Sequence, residues 1–78
     1  MIEIYGATWC GYCRKAKNLC ESNEVEFEYY DVDQANHKQE LFDRMDEKPE
    51  TIPQIFVDNK LLPGGFTALK EHLTQKAA

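Results

Sequence analysis

Cys10 and Cys13 stand with only Gly11 and Tyr12 between them, in the stretch Thr8-Trp9-Cys10-Gly11-Tyr12-Cys13. They follow a short apolar run, Ile2, Ile4 and Tyr5, and open a helical pattern from Arg14 to Ser22. A strand, a turn carrying two cysteines and then a helix is the sequence context of a redox-active dithiol. The chemistry has a physical basis. A helix N-terminus has unpaired N–H groups and a partial positive charge, so it favours an anion. The thiolate is the nucleophile of thiol–disulfide exchange. Arg14, Lys15 and Lys17 add positive charge of the same sense. Cys10, just outside the helix, is expected to be the exposed, attacking sulfur. Cys13, one turn in, is expected to be more buried and to resolve.

The elements that must position this pair are legible in order. Met1 to Tyr5 alternates Ile2 and Ile4 with Glu3, and predicts a first strand. Gly6 to Trp9 is a turn. Gly11 to about Ser22 is a helix with Cys13, Ala16, Leu19 and Cys20 on one face, ended by Ser22-Asn23. Val25 to Val32 predicts a second strand, with Val25, Phe27 and Tyr29 on one face; Tyr30 and Val32 break the alternation near its end. A helix between two strands makes a βαβ unit, so these strands should be parallel with a right-handed crossover. Asp33 or Asn36 can cap a second helix that runs to about Met45, with Leu41, Phe42 and Met45 facing in. A polar loop from Asp46 to Glu50 follows. Thr51-Ile52-Pro53 precedes a third strand, Gln54 to Val57; Asp58-Asn59 is a turn, and Lys60 to Leu62 a fourth strand, antiparallel to the third. Pro63-Gly64-Gly65 breaks the chain before a last helix from Phe66 to about Lys76, with Phe66, Leu69 and Leu73 inward and Thr67 as its cap. The expected fold is α/β, in the order β-α-β-α-β-β-α, as one domain over residues 1–78.

Bulk properties exclude several function classes. With 78 residues the chain can bury only a small core. Its net charge is −5, from 14 acidic and 9 basic residues, which argues against a nucleic-acid surface. The acidic runs, Glu21 to Asp33 and Glu40 to Glu50, read as solvated faces. The longest apolar runs are far below the ~18 residues of a membrane span. Neither a leader nor a lipidation motif is visible, which points to the cytoplasm. Three cysteines are too few for a secreted disulfide scaffold. A monomer without membrane association is expected.

The element order, the cysteine pair after the first strand, Thr51-Ile52-Pro53 before the third and Gly64-Gly65 before the last helix together resemble the glutaredoxins, along essentially the whole chain. The resemblance implies a thioredoxin-like fold with a mixed four-stranded sheet flanked by three helices. It implies disulfide reduction through Cys10 and Cys13, with glutathione as reductant and co-substrate and no tightly bound cofactor. It implies that Pro53 follows a cis peptide bond and faces the cysteines, leaving the Ile52 backbone to pair with glutathione or a peptide. Trp9, Tyr12, Thr51, Ile52, Pro53, Gly64, Gly65, Phe66 and Thr67 become the expected binding residues. The N–H groups of Phe66 and Thr67, at the start of the last helix, would suit the γ-glutamyl carboxylate. Substrates would be protein disulfides and glutathione mixed disulfides, with a ribonucleotide reductase as one partner.

The chain departs from the family pattern at both ends of the expected glutathione site. Ala7 stands where a lysine commonly holds the glycine carboxylate of glutathione, and Thr67 and Ala68 stand where an acidic residue commonly binds the γ-glutamyl amine. Arg44 and Lys48 are the nearby candidates for a carboxylate contact. These departures make a thioredoxin reductase the alternative reductant. Gly11 replaces the usual proline, and a small residue there also fits glutaredoxins that bridge a [2Fe–2S] cluster as carrier or sensor, the alternative function. Structural zinc lacks a second pair of ligands. A non-catalytic module would not need the intact cysteine pair. Cys20 is expected to be a core residue, and His37 and His72 to be exposed on helices.

Overall fold

The structure, a computed structural model, describes residues 1–45 and 51–77, the last three as backbone only. Strand β1, Ile2–Gly6, is the centre of the sheet. Sheet order is β2-β1-β3-β4, with β2 at Phe27–Asp31, β3 at Gln54–Val57 and β4 at Lys60–Leu62. β1 runs parallel to β2, with Ile4 beside Tyr29, and antiparallel to β3, with Ile4 beside Ile55. β3 and β4 form the expected antiparallel hairpin, turned at Asp58 and Asn59, whose φ angles are 51° and 70°. Two consecutive left-handed residues give the turn a twist that matches its flanking strands. Helices α1 (Gly11–Ser22), α2 (Ala35–Arg44) and α3 (Gly65–Ala77) complete the predicted element order and the thioredoxin-like fold that the resemblance implies.

The period of two along β1 sorts the core. Ile2 and Ile4 face one side with Ile55, and α1 and α3 close over them through Ala16, Cys20, Leu69 and Leu73. Tyr5 faces the other side, against Leu41 of α2 and Phe56. Each large apolar side chain so buried contributes about 1.5–3 kcal/mol. Both faces of the sheet are covered, which explains the irregular pattern in β2. Tyr29 packs on the α1 side, while Tyr30 and Val32 pack on the α2 side. Tyr30 stacks on Tyr5 with ring centroids 5.0 Å apart.

Several local expectations need correction. β2 begins at Phe27 rather than Val25, because the Val25 N–H donates to Cys20 O at 3.0 Å and the Glu24 N–H to Glu21 O at 3.1 Å. That pair of bonds ends α1 in a Schellman turn, with Glu24 at φ 54°. The residue that caps α2 is Gln34, with no side-chain hydrogen bond, and neither Asp33 nor Asn36 serves. Asp33 is occupied elsewhere, as described below. α3 begins at Gly65, so Thr67 lies within its first turn and does not cap it. Neither histidine is fully exposed. His37 packs edge-on to Tyr30, with its Nδ1 3.2 Å from Asp31 O, and His72 has its Nε2 buried without a hydrogen-bond partner among the described residues.

Arg44, a candidate ligand contact in the sequence, is committed to the fold. Its guanidinium makes a two-pronged bond to Glu3, Nη1 to Oε2 at 2.9 Å and Nη2 to Oε1 at 3.0 Å. It also donates to the Tyr5 hydroxyl at 3.0 Å and lies 3.9 Å from the Phe56 ring centroid. This fork and stack fix the end of α2 to β1, on the sheet face away from α1. Lys48 lies outside the described residues.

Candidate functional site

β1 ends at Gly6, and the chain turns through Ala7–Trp9 into α1. Cys10 is the N-cap residue, extended at φ −91° and ψ 118°. Its carbonyl accepts the first helical bond, from the Arg14 N–H at 3.2 Å, and its own N–H donates to Ala7 O at 3.2 Å. Its sulfur does what an N-cap serine oxygen would do: the Cys13 N–H points at Cys10 Sγ, 3.3 Å away. The first turn of α1 contains no acidic residue to offset the charge of the helix end. Cys10 is partly exposed, while Cys13 has no solvent-accessible surface. Burial is the main reason the Cys13 thiol is pushed from 9.0 up to about 12, with the Cys10 side chain acting in the same direction. Hydrogen bonds from the Ala7 main chain and the Tyr29 side chain oppose the shift without cancelling it. Cys20, buried further along α1 among aliphatic side chains, is raised to about 11 by burial and by the charge of Glu21.

Sequence reasoning passed over the wall behind Cys13. Gly6 has no side chain because none fits. A Cβ there would fall 2.7 Å from Cys13 Sγ, 2.8 Å from Cys13 Cβ and 2.8 Å from the Tyr29 hydroxyl. Tyr29 reaches over from β2, and its hydroxyl donates to Ala7 O at 3.3 Å. Burial pushes this phenol from 10.0 up to about 12, with Cys13, Cys10 and Asp31 adding to the shift. A glycine between the first strand and the cysteine pair was the available signal. Tyr29 was legible only as a residue on the inward face of its strand.

A cleft of about 330 Å3 opens beside the exposed sulfur. Tyr12, Thr51, Ile52, Pro53, Gly64, Gly65, Phe66 and Thr67 all line it, together with Gln54, which the sequence did not single out. Three separate segments thus meet in one place. The Ile52–Pro53 peptide is cis, and Cys10 Sγ lies 3.9 Å from Ile52 O at the edge of the cleft. Gly65, at φ 59°, packs so close that a Cβ would come within 3.2 Å of Pro53 O. Tyr12 leans over the cleft with its ring centroid 6.0 Å from that of Phe66, and Lys15 Nζ sits 5.1 Å from the Tyr12 ring.

Trp9, expected among the binding residues, stands outside the cleft. Its indole N–H donates to Asp33 Oδ2 at 2.9 Å, with the ring largely in solvent. Asp33 is itself held by Asp31 Oδ1, which accepts its N–H at 2.9 Å. Among the described residues no three His, Cys, Asp or Glu side chains converge to hold a metal. No described helix is long and apolar enough to cross a membrane.

Comparison with known proteins agrees with this geometry. The family model described as Glutaredoxin matches residues 2–62. Glutaredoxin 1 of Escherichia coli (strain K12) is 41% identical, over 82% of this chain and 81% of its own. A glutaredoxin of Haemophilus influenzae is 38% identical, over 81% of this chain and 79% of its own. The solution structure of reduced Escherichia coli glutaredoxin superposes with a TM-score of 0.76 at 29% identity, over 97% of this chain and 95% of its own. With its cysteine pair at the N-terminus of α1 and its cleft bounded by Ile52–Pro53 and Gly64–Gly65, the chain belongs to the glutaredoxin family of thiol–disulfide oxidoreductases.

Proposed function

We propose that this chain is a dithiol glutaredoxin, in which Cys10 attacks and Cys13 resolves. One observation carries the reading: one sulfur is partly exposed at a helix N-terminus, and the other, a turn away, is fully buried as a thiol. Attack by the Cys10 thiolate on a substrate disulfide forms a bond between Cys10 and one substrate sulfur. The other substrate sulfur leaves as a thiolate with the bonding electron pair. The negative charge that the Cys10 thiolate carries before attack is met by the Cys13 N–H and the end of α1. Cys13 then attacks Cys10, the substrate sulfur departs, and two electrons have passed to the substrate, leaving a Cys10–Cys13 disulfide.

The substrate classes are protein disulfides and glutathione mixed disulfides, in the reducing cytoplasm. Glutathione fits the cleft by its chemistry. Ile52 offers backbone pairing to its cysteinyl part, and the N–H groups of Phe66 and Thr67, in the first turn of α3, suit its γ-glutamyl carboxylate. Two glutathione molecules can return the disulfide to the dithiol. Ala7 brings no cation to the glycine carboxylate, and Arg44 is held by Glu3. A thioredoxin reductase is therefore a second route of reduction. A ribonucleotide reductase disulfide is one candidate substrate.

The test follows NADPH loss as the oxidised protein is reduced, once by glutathione with glutathione reductase and once by thioredoxin reductase. Turnover with glutathione establishes the glutaredoxin cycle. Turnover with thioredoxin reductase alone would make the chain a small thioredoxin in function, and turnover with neither would overturn the reading. Gly11 favours a second role, since among the described residues nothing stands within 4 Å of a Cβ there and a bridging cluster would have room. A brown, glutathione-dependent chromophore on anaerobic purification would establish that role.

A further inference from the structure

We propose that the Tyr29 hydroxyl is the hydrogen-bond donor that stabilises the Cys13 sulfur as it becomes a nucleophile in the resolving step. The inference rests on the dithiol reading and concerns how its second half proceeds. Cys13 has no solvent-accessible surface, so water cannot stabilise its thiolate. The protein must supply the stabilisation. Tyr29 OH and Cys13 Sγ border the same point above Gly6, 2.8 Å and 2.7 Å from it, so only a glycine lets them meet. The hydroxyl's present acceptor is Ala7 O at 3.3 Å, long for an O–H···O bond. A donor held so weakly can turn to a sulfur that gains negative charge, where its bond is stronger.

The groups around the pair are few. Cys10 and the Ala7 main chain face Cys13 from the start of α1 and the turn before it. Tyr29 is faced by Cys13, Cys10 and Asp31, and Lys17 Nζ lies 5.8 Å from its ring centroid. Of the described side chains facing Cys13, Tyr29 is the one that can donate and is not itself consumed in the exchange. In the step, the Cys13 proton passes to solvent and its sulfur forms a bond to Cys10. The bond between Cys10 and the substrate sulfur breaks, and the departing thiolate takes up a proton from solvent. Tyr29 keeps its own proton throughout.

The experiment mixes the reduced protein with a chromogenic aromatic disulfide in stopped flow. The first arylthiolate released reports attack by Cys10, and the second reports resolution by Cys13. Tyr29→Phe removes the hydroxyl and keeps the ring. The second phase should slow about tenfold at neutral pH, and its pH profile should move to higher pH, since hydrogen bonds to charged groups are the strong ones. The first phase, measured in Cys13→Ser with and without Tyr29→Phe, should be unchanged. A second phase with wild-type rate and pH profile in Tyr29→Phe would overturn the inference and leave the dithiol reading standing. Equal slowing of both phases would make Tyr29 a packing residue and also overturn it. Absence of a Cys13-dependent second phase in the unmutated protein would overturn the dithiol reading, and this inference with it.

Discussion

Two regions meet at the cysteine pair and differ in almost every physical respect. The rim, from Trp9 to Tyr12, faces solvent: Trp9 is 71% exposed and Tyr12 60% exposed. The wall, made by Gly6, Cys13 and Tyr29, has no room for one methyl group. A single helical turn separates them. Local sequence points to the outer sulfur as the one a substrate meets, and the packing behind the helix enforces it. The difference comes from what lies behind α1. Tyr29 and Gly6 close one side of the turn, and the cleft beside Ile52 leaves the other open. Order in the proposed reaction follows from that asymmetry: the sulfur at the rim is reached first, and the sulfur in the wall acts once a disulfide has been brought to it.

The contrast can be broken most severely at the sulfurs. Cys10→Ser should abolish reduction of every disulfide substrate, whereas Cys13→Ser should spare only the glutathione-dependent route, in coupled assays with NADPH. Protein-disulfide reduction surviving in Cys10→Ser would show that the rim sulfur is not the nucleophile. Packing comes next. Gly6→Ala should cost about 3 kcal/mol of stability in denaturant unfolding, because a methyl group forced into the wall displaces Cys13 or Tyr29. The same change at Gly11, where nothing among the described residues stands within 4 Å, should stabilise α1 by no more than about 1 kcal/mol. Equal effects at the two glycines would mean that the wall is not closed.

Acidity sharpens the comparison further. Cys13 and Tyr29 are held protonated by burial, the first from 9.0 to about 12 and the second from 10.0 to about 12. Cys20 behaves likewise, to about 11. Their folded values lie above their unfolded ones. The unfolded chain therefore loses these protons first, and the stability they contribute is complete below about pH 9 and lost as pH rises towards 12. Unfolding free energy of the reduced protein should fall through that window. The slope is about 1.4 kcal/mol per pH unit for each group ionised only in the unfolded state. Oxidation to the Cys10–Cys13 disulfide should remove the Cys13 share, and Cys20→Ala the Cys20 share. The smallest effect is expected at the rim. Trp9→Phe removes the indole bond to Asp33 in an exposed setting and should change stability by under about 0.5 kcal/mol.

Much of this protein was determined by its sequence alone. The period of two in Ile2 and Ile4, the helical spacing of Cys13, Ala16 and Cys20, and the breaks at Asp58-Asn59 and Pro63-Gly64-Gly65 were enough to place the elements and the parallel and antiparallel pairs. These signals are local, and short-range sterics and burial act on them directly. The cysteine pair at a helix start was legible for the same reason, whereas most of the cleft residues were expected only through the resemblance to the glutaredoxins. What only the tertiary structure decided was which side chains meet from distant parts of the chain. Arg44 is bound to Glu3 and stacked on Phe56 rather than free for a ligand. Trp9 is drawn to Asp33, which takes that aspartate from the cap of α2. Gly6 is required because Cys13 and Tyr29 converge on it, one from α1 and the other from the strand that follows it. A spacing rule sees one element at a time; close packing and charge pairing act between elements, and become visible only when the sheet has brought them together.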